Sequence, residues 1–181
     1  MKKVNIAVLV MVLVGFMSAN AQAADVWAEV KQTATQGKDP SVSILAEIQE
    51  KKVVLTLNAT DGYQEFYVGP KFNPTPWFEV GVGIGAETVG KGWGQRVAGH
   101  VWVGYEKVSA FAVYETGPTT GSWYKGIVKY QVLPTVSLGL QTQKYQGSGV
   151  RAEWTPGKTT IWTAVLKEQT QTTQIGVSRS F

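Results

Sequence analysis

Along most of this chain apolar and polar residues alternate one by one. Val42, Ile44, Ala46 and Ile48 take every second position, as do Phe78, Val80, Val82 and Ile84, and later Val136, Leu138 and Leu140. Successive side chains of an extended strand point to opposite faces, so a period of two marks a strand with one apolar side. The alternating runs are broken by turn residues and predict twelve strands, over 25–36, 41–49, 52–60, 63–72, 77–88, 96–106, 108–116, 123–131, 135–144, 148–155, 159–167 and 171–181. No helical period interrupts them, and no linker or sequence repeat divides them. Spacing this regular points to one all-β barrel or sandwich.

The tightest turns set a register. A two-residue loop at Asp61-Gly62, a dipeptide that favours such hairpins, sets Ala59 against Gln64, Leu57 against Phe66 and Leu55 against Val68. The same arithmetic about Glu50-Lys51 pairs Ile48 with Val53. About Glu106-Lys107 it pairs Tyr105 with Val108 and Val103 with Ala110. In each case apolar rows meet apolar rows, whereas a one-residue slip would set them against polar ones.

A soluble sandwich would bury the apolar rows between two sheets and leave edge strands to protect. The opposite face carries Gly, Ser, Gln and Thr with spaced charges and large aromatics, which suits a polar lumen instead. The reading is therefore an all-β, closed antiparallel up-and-down transmembrane β-barrel of about twelve short strands, with ten or eight as alternatives. Its apolar rows would meet lipid and its backbone groups would all pair through closure. Tyr124 and Tyr130, six residues apart on one strand, would lie about 20 Å apart at the two interfaces.

Both ends fit an exported barrel. MKKVNIAVLVMVLVGFMSANAQAAD has two lysines, an apolar stretch from about Val4 to Phe16 and the small-residue stop Ala21-Gln22-Ala23, so residues 1–23 read as a secretory signal peptide. That stretch is shorter than the roughly 20 residues of a membrane-spanning helix. One barrel domain over 24–181 is expected to follow. The absence of cysteine excludes a lipid-anchored cysteine and any disulfide framework. The terminal run TTQIGVSRSF alternates to the last residue, with Ile175, Val177 and Phe181 on one face.

That terminal pattern resembles the β-signal of Gram-negative outer-membrane β-barrel proteins, which the barrel-assembly machinery recognises. The resemblance makes Phe181 the terminal recognition residue and Ile175 and Val177 its apolar companions. It also implies outer-membrane lipid and the assembly machinery as partners. Arg179 stands where that family has an aromatic or apolar residue. An even strand number then puts both termini in the periplasm. The longest connections, Val89 to Gln95 and Gly117 to Ser122, fall on the outer side.

Charge narrows the function. The formal charge of +4 loses Lys2 and Lys3 with the signal, leaving 15 − 13 = +2, too mild for a nucleic-acid partner. On the inward face Glu47, Glu65, Glu79 and Glu87 come from strands two, four and five, and Lys125, Lys129 and Arg151 from strands eight and ten. In a ring of twelve, strand n lies across from strand n + 6, so an acidic wall would face a basic one, with Lys71, Arg96 and Glu153 mixed in. These residues are the candidate lining of a small pore for hydrophilic solutes, since such walls tune what a pore passes. The basic residues and the short plan resemble the oligogalacturonate-type porins, which brings acidic solutes into range. The alternative is a structural or interaction barrel without transport.

Gly81, Gly83 and Gly85 form an inward stripe within a strand, which makes room for His100 and Trp102 rather than cradling a phosphate. His100 is the only histidine, and the nearest serine, Ser109, is set opposite Gly104. Neither a Ser-His catalytic pair nor a metal or cofactor site is expected.

Overall fold

The computed structural model describes residues 25–50, 53–60, 62–89 and 92–181. The segment read as a signal peptide lies outside them, as do Lys51 and Asp61 of two turns and part of the Val89 to Gln95 connection. Twelve strands form: β1 (Asp25–Thr35), β2 (Ser41–Glu50), β3 (Val53–Thr60), β4 (Tyr63–Thr75), β5 (Phe78–Val89), β6 (Gly92–Tyr105), β7 (Val108–Gly117), β8 (Gly121–Leu133), β9 (Val136–Gln143), β10 (Gly147–Trp154), β11 (Thr159–Lys167) and β12 (Gln171–Ser180). Each pairs antiparallel with its chain neighbour, and β1 closes on β12 from Trp27↔Ser180 to Thr35↔Thr172. Closure leaves no sheet edge. The backbone of Phe181 extends the seam by donating to the Val26 carbonyl at 2.9 Å.

The expected register holds at two of the three turns. Ala59 pairs with Gln64, Leu57 with Phe66 and Leu55 with Val68, while Tyr105 pairs with Val108 and Val103 with Ala110. Glu106 takes the left-handed conformation, φ 51°, that a tight two-residue hairpin demands. At the first hairpin the expectation is corrected, because Ile48 pairs with Leu55 rather than Val53 and Glu50 itself pairs with Val53. The pairing shifts by two residues, so the alternation of faces along β2 and β3 is kept.

The second correction concerns the outer connection at Val89 to Gln95. β5 and β6 continue pairing through Ala86↔Gln95, Glu87↔Gly94 and Thr88↔Trp93 to Val89↔Gly92. Gly92 and Gly94, which read as loop, sit within a long hairpin. The Gly117 to Ser122 connection shortens similarly, with Gly117 paired to Gly121.

Outward positions carry the apolar rows. Val82, Ile84, Val97, Val128, Leu138, Leu140, Val150, Ile175 and Val177 are all exposed on this face. Aromatics gather at both ends of the barrel. Trp77, Tyr105, Tyr130 and Trp154 lie near the end that holds the termini, and Phe66, Trp93, Tyr114 and Tyr124 lie near the other. Buried positions on the inner face are instead mostly polar or charged, including Glu65, Lys71, Glu87, Arg96, Gln141, Arg151, Glu153 and Gln174, with an apolar cluster of Trp162, Ala164 and Leu166 on β11. An apolar exterior around a polar interior inverts the ordering of a soluble domain, as a lipid-facing barrel requires.

Candidate functional site

The inward face holds three side-chain networks. The first lies toward the mouth away from the termini, on β4 to β7. Arg96 donates from Nη1 to Glu87 at 2.9 Å, from Nη2 to Glu115 at 3.3 Å and from Nε to the Tyr67 hydroxyl at 2.8 Å. Glu65 lies 3.9 Å from the same guanidinium. Tyr63 donates to Glu65 at 2.6 Å and to Glu87 at 2.8 Å. The connection after β7 bends inward so that Thr120 donates to both Glu87 oxygens, at 2.8 and 2.7 Å, and also accepts from Arg96. Burying one guanidinium among three carboxylates is tolerable only because each charge has several partners.

The second network is nearer the termini. Lys71 sits 2.9 Å from Glu79 and donates to Gln49, and Asn73 donates to Glu79 at 3.2 Å. His100 Nε2 is 3.1 Å from the other Glu79 oxygen. Its ring lies directly over Gly81, where a Cβ would collide with it. The stripe therefore does make room for the histidine. The Trp102 indole instead lies over Gly104 of its own strand.

The third network occupies the facing wall. Lys129 and Arg151 both reach Glu153, each at 2.6 Å, and Arg151 also donates to Gln141 at 2.8 Å. Gln141 continues to Gln174 at 2.7 Å, and Gln174 to Gln146 at 2.6 Å. The Arg151 guanidinium stacks 3.8 Å from the centroid of Trp162, whose indole crosses Gly176 and donates to Glu29 at 2.8 Å. Lys125 lies 5.7 Å from the same ring.

All seven candidate lining residues thus lie on the inward face, but their charges are not sorted into opposed walls. Glu79 is matched by Lys71, Glu65 and Glu87 by Arg96, and Lys129 and Arg151 by Glu153. The residues expected only to spoil the pattern are the partners that neutralise it. Glu47, Lys125 and Lys31 have no ion-pair partner within 4 Å among the described residues. Sequence reasoning did not single out Glu29, Lys31, Glu115 or Trp162. Alternation carried the signal for Glu115, which shares a face with Ser109. Trp162 falls in IWTAVL, where both faces are largely apolar and parity is mute.

A cavity of about 250 Å³ opens at the mouth away from the termini, bounded by Lys31, Thr33, Ser43, Asn58, Tyr63, Glu65, Arg96, Glu115, Trp123 and Gln143 among others. His100 has Glu79 as its hydrogen-bond partner and Phe111 as its aromatic neighbour, with ring centroids 6.1 Å apart. Ser109 pairs with Gly104, four residues along β6 from His100. No group of metal-ligating side chains is present among the described residues.

No family model matches the chain, and no curated protein matches it. Solved structures do. A structure of the KdgM porin in complex with disordered oligogalacturonate superposes with a TM-score of 0.69 at 13% identity, covering 86% of this chain and 99% of that one. The NanC porin gives a TM-score of 0.64 at 10% identity, over 85% of this chain and 100% of that one. Outer membrane phospholipase A from Escherichia coli gives 0.52 at 9% identity, over 88% and 90%. The chain has the twelve-stranded fold of these outer-membrane barrels.

Proposed function

We propose that this protein is an outer-membrane channel for passive passage of small hydrophilic solutes. The observation that carries the proposal is the polar lumen itself: a closed barrel with an apolar outside, charged inner walls and a cavity open at one mouth. Barrels of eight strands have interiors that side chains fill, and those of sixteen or more hold wide channels. A twelve-stranded barrel allows a narrow path, and its selectivity is set by the charges that remain uncompensated. Pairing Lys129 and Arg151 with Glu153 leaves Lys31 and Lys125 as inner-face cations without an ion-pair partner among the described residues.

The fold it shares with the KdgM and NanC porins supports this reading. A second reading is a structural or interaction barrel without transport. It draws on the Arg151–Gln141–Gln174–Gln146 chain, which occupies one side of the lumen. Liposome swelling separates the two. Proteoliposomes carrying the folded protein should swell in isosmotic monosaccharide faster than protein-free liposomes, and swelling no faster than those controls would favour the closed barrel.

A further inference from the structure

The cavity at the mouth away from the termini has a composition that the channel reading does not by itself explain. Its boundary includes three buried or half-buried acceptors, Glu65, Glu115 and the Gln143 amide oxygen. Gln143 is 95% buried, since 5% of its surface remains exposed, and its Oε1 has no hydrogen-bond partner among the described residues. A buried acceptor left unsatisfied is destabilising, because it gives up its hydrogen bonds to water and gains none in return. Such a group is accounted for when something that donates a hydrogen bond comes to it.

The charges say what kind of donor. Arg96 is shared among Glu65, Glu87 and Glu115, three carboxylates around one guanidinium. This side of the cavity therefore has carboxylate in excess and would repel a further carboxylate. Lys31 is the cation on the boundary without an ion-pair partner among the described residues.

The remaining wall is hydroxyl and aromatic. Thr33, Ser41, Ser43 and Thr60 line one side, and Trp123, paired across the ladder with Glu115, stands at the rim with Tyr145. Tyr145 holds a left-handed backbone conformation, φ 69°, and Lys144 fixes this corner by donating to the Ser122 carbonyl at 2.6 Å. An aromatic face beside carboxylate and amide acceptors matches a ring that is apolar on its C–H faces and carries hydroxyl donors around its edge. The volume is just under the roughly 300–1,000 Å³ usual for small-molecule sites, so the fit is to one ring rather than to a longer chain.

From this juxtaposition we propose that the mouth cavity is a binding subsite for a neutral monosaccharide ring. The ring stacks on Trp123, donates hydroxyl hydrogen bonds to Glu115 and Gln143, and is preferred over its carboxylate-bearing counterpart. The subsite deepens the channel reading and rests on it for its place in transport, but binding itself can be measured without current.

The test is a titration of the folded full-length protein in detergent with methyl α-glucopyranoside and, separately, with glucuronate, followed by calorimetry. Saturable binding of the neutral glycoside, at least about fivefold tighter than that of glucuronate, is expected. Trp123→Ala and Gln143→Leu should each weaken it about tenfold, while heat-modifiable mobility on gels shows that both variants fold. Equal or tighter binding of glucuronate would overturn the assigned class, and so would retention of parent affinity in both folded variants. Absence of saturable binding in the parent would overturn the subsite. If the protein binds the glycoside but conducts no current, the subsite stands and the channel reading fails. If it conducts but does not bind the glycoside, the channel reading stands and the subsite fails.

Discussion

Lys129 on β8 reaches Glu153 on β10 across an intervening strand, with Nζ and Oε2 2.6 Å apart. The β9 residue paired with both Lys129 and Arg151 is Gly139, so no side chain stands between them. Glu153 consequently holds two cations. Glu153→Gln should leave both uncompensated, shift the reversal potential under a salt gradient toward anions, and lower folded-state stability by about 3–5 kcal/mol. A reversal potential equal to the parent's would mean that this triad does not face the conducting path.

Lys125 is the cleaner probe of charge selectivity, because it has no carboxylate within ion-pair distance among the described residues. Lys125→Glu changes the wall by two charges in a confined space where Coulomb energies exceed their value in water by a few-fold. Reversal-potential measurements should move toward cations. They should move less for Lys129→Gln, whose loss leaves Glu153 still paired with Arg151.

Trp162 lies against Gly176 so closely that an added Cβ would meet the indole ring. Gly176→Ala should displace the ring, break its bond to Glu29 and weaken its stacking with Arg151. Overpacking of this kind costs about 1–3 kcal/mol. The check is a lower midpoint for loss of heat-modifiable mobility, with a change in tryptophan fluorescence.

How much of this was legible in the sequence follows from what alternation encodes. Parity of Tyr124, Val128 and Tyr130 was enough to put Lys125 and Lys129 inside, and Asp61-Gly62 fixed the β3–β4 register. The pairing of β2 with β3 was misplaced by two residues because Glu50, Lys51 and Lys52 are chemically similar turn residues. Gly92 and Gly94 read as loop because glycine punctuates most strands, yet here they extend a hairpin. Ion partners were illegible for a different reason: Lys129 meets Glu153 by spanning a strand, and only the side-chain reach over Gly139 reveals it.

Phe181 offers a prediction about assembly. Its backbone pairs with Val26, its ring lies 5.5 Å from the Arg179 guanidinium, and Ile175 and Val177 are exposed on the outer face. Deleting Phe181 should reduce the amount of folded, heat-modifiable protein in outer-membrane fractions, while Arg179→Tyr should leave it equal or higher. Normal accumulation without Phe181 would show that the terminal pattern is not read during assembly.

The central claim is that the lumen conducts, and single-channel recording in a planar bilayer tests it most directly. The folded protein should insert in discrete current steps whose size scales with salt concentration, and Lys125→Glu should alter their ion preference. Bilayers containing folded protein that show no steps above the lipid background would contradict the account and leave a barrel closed by its own side chains.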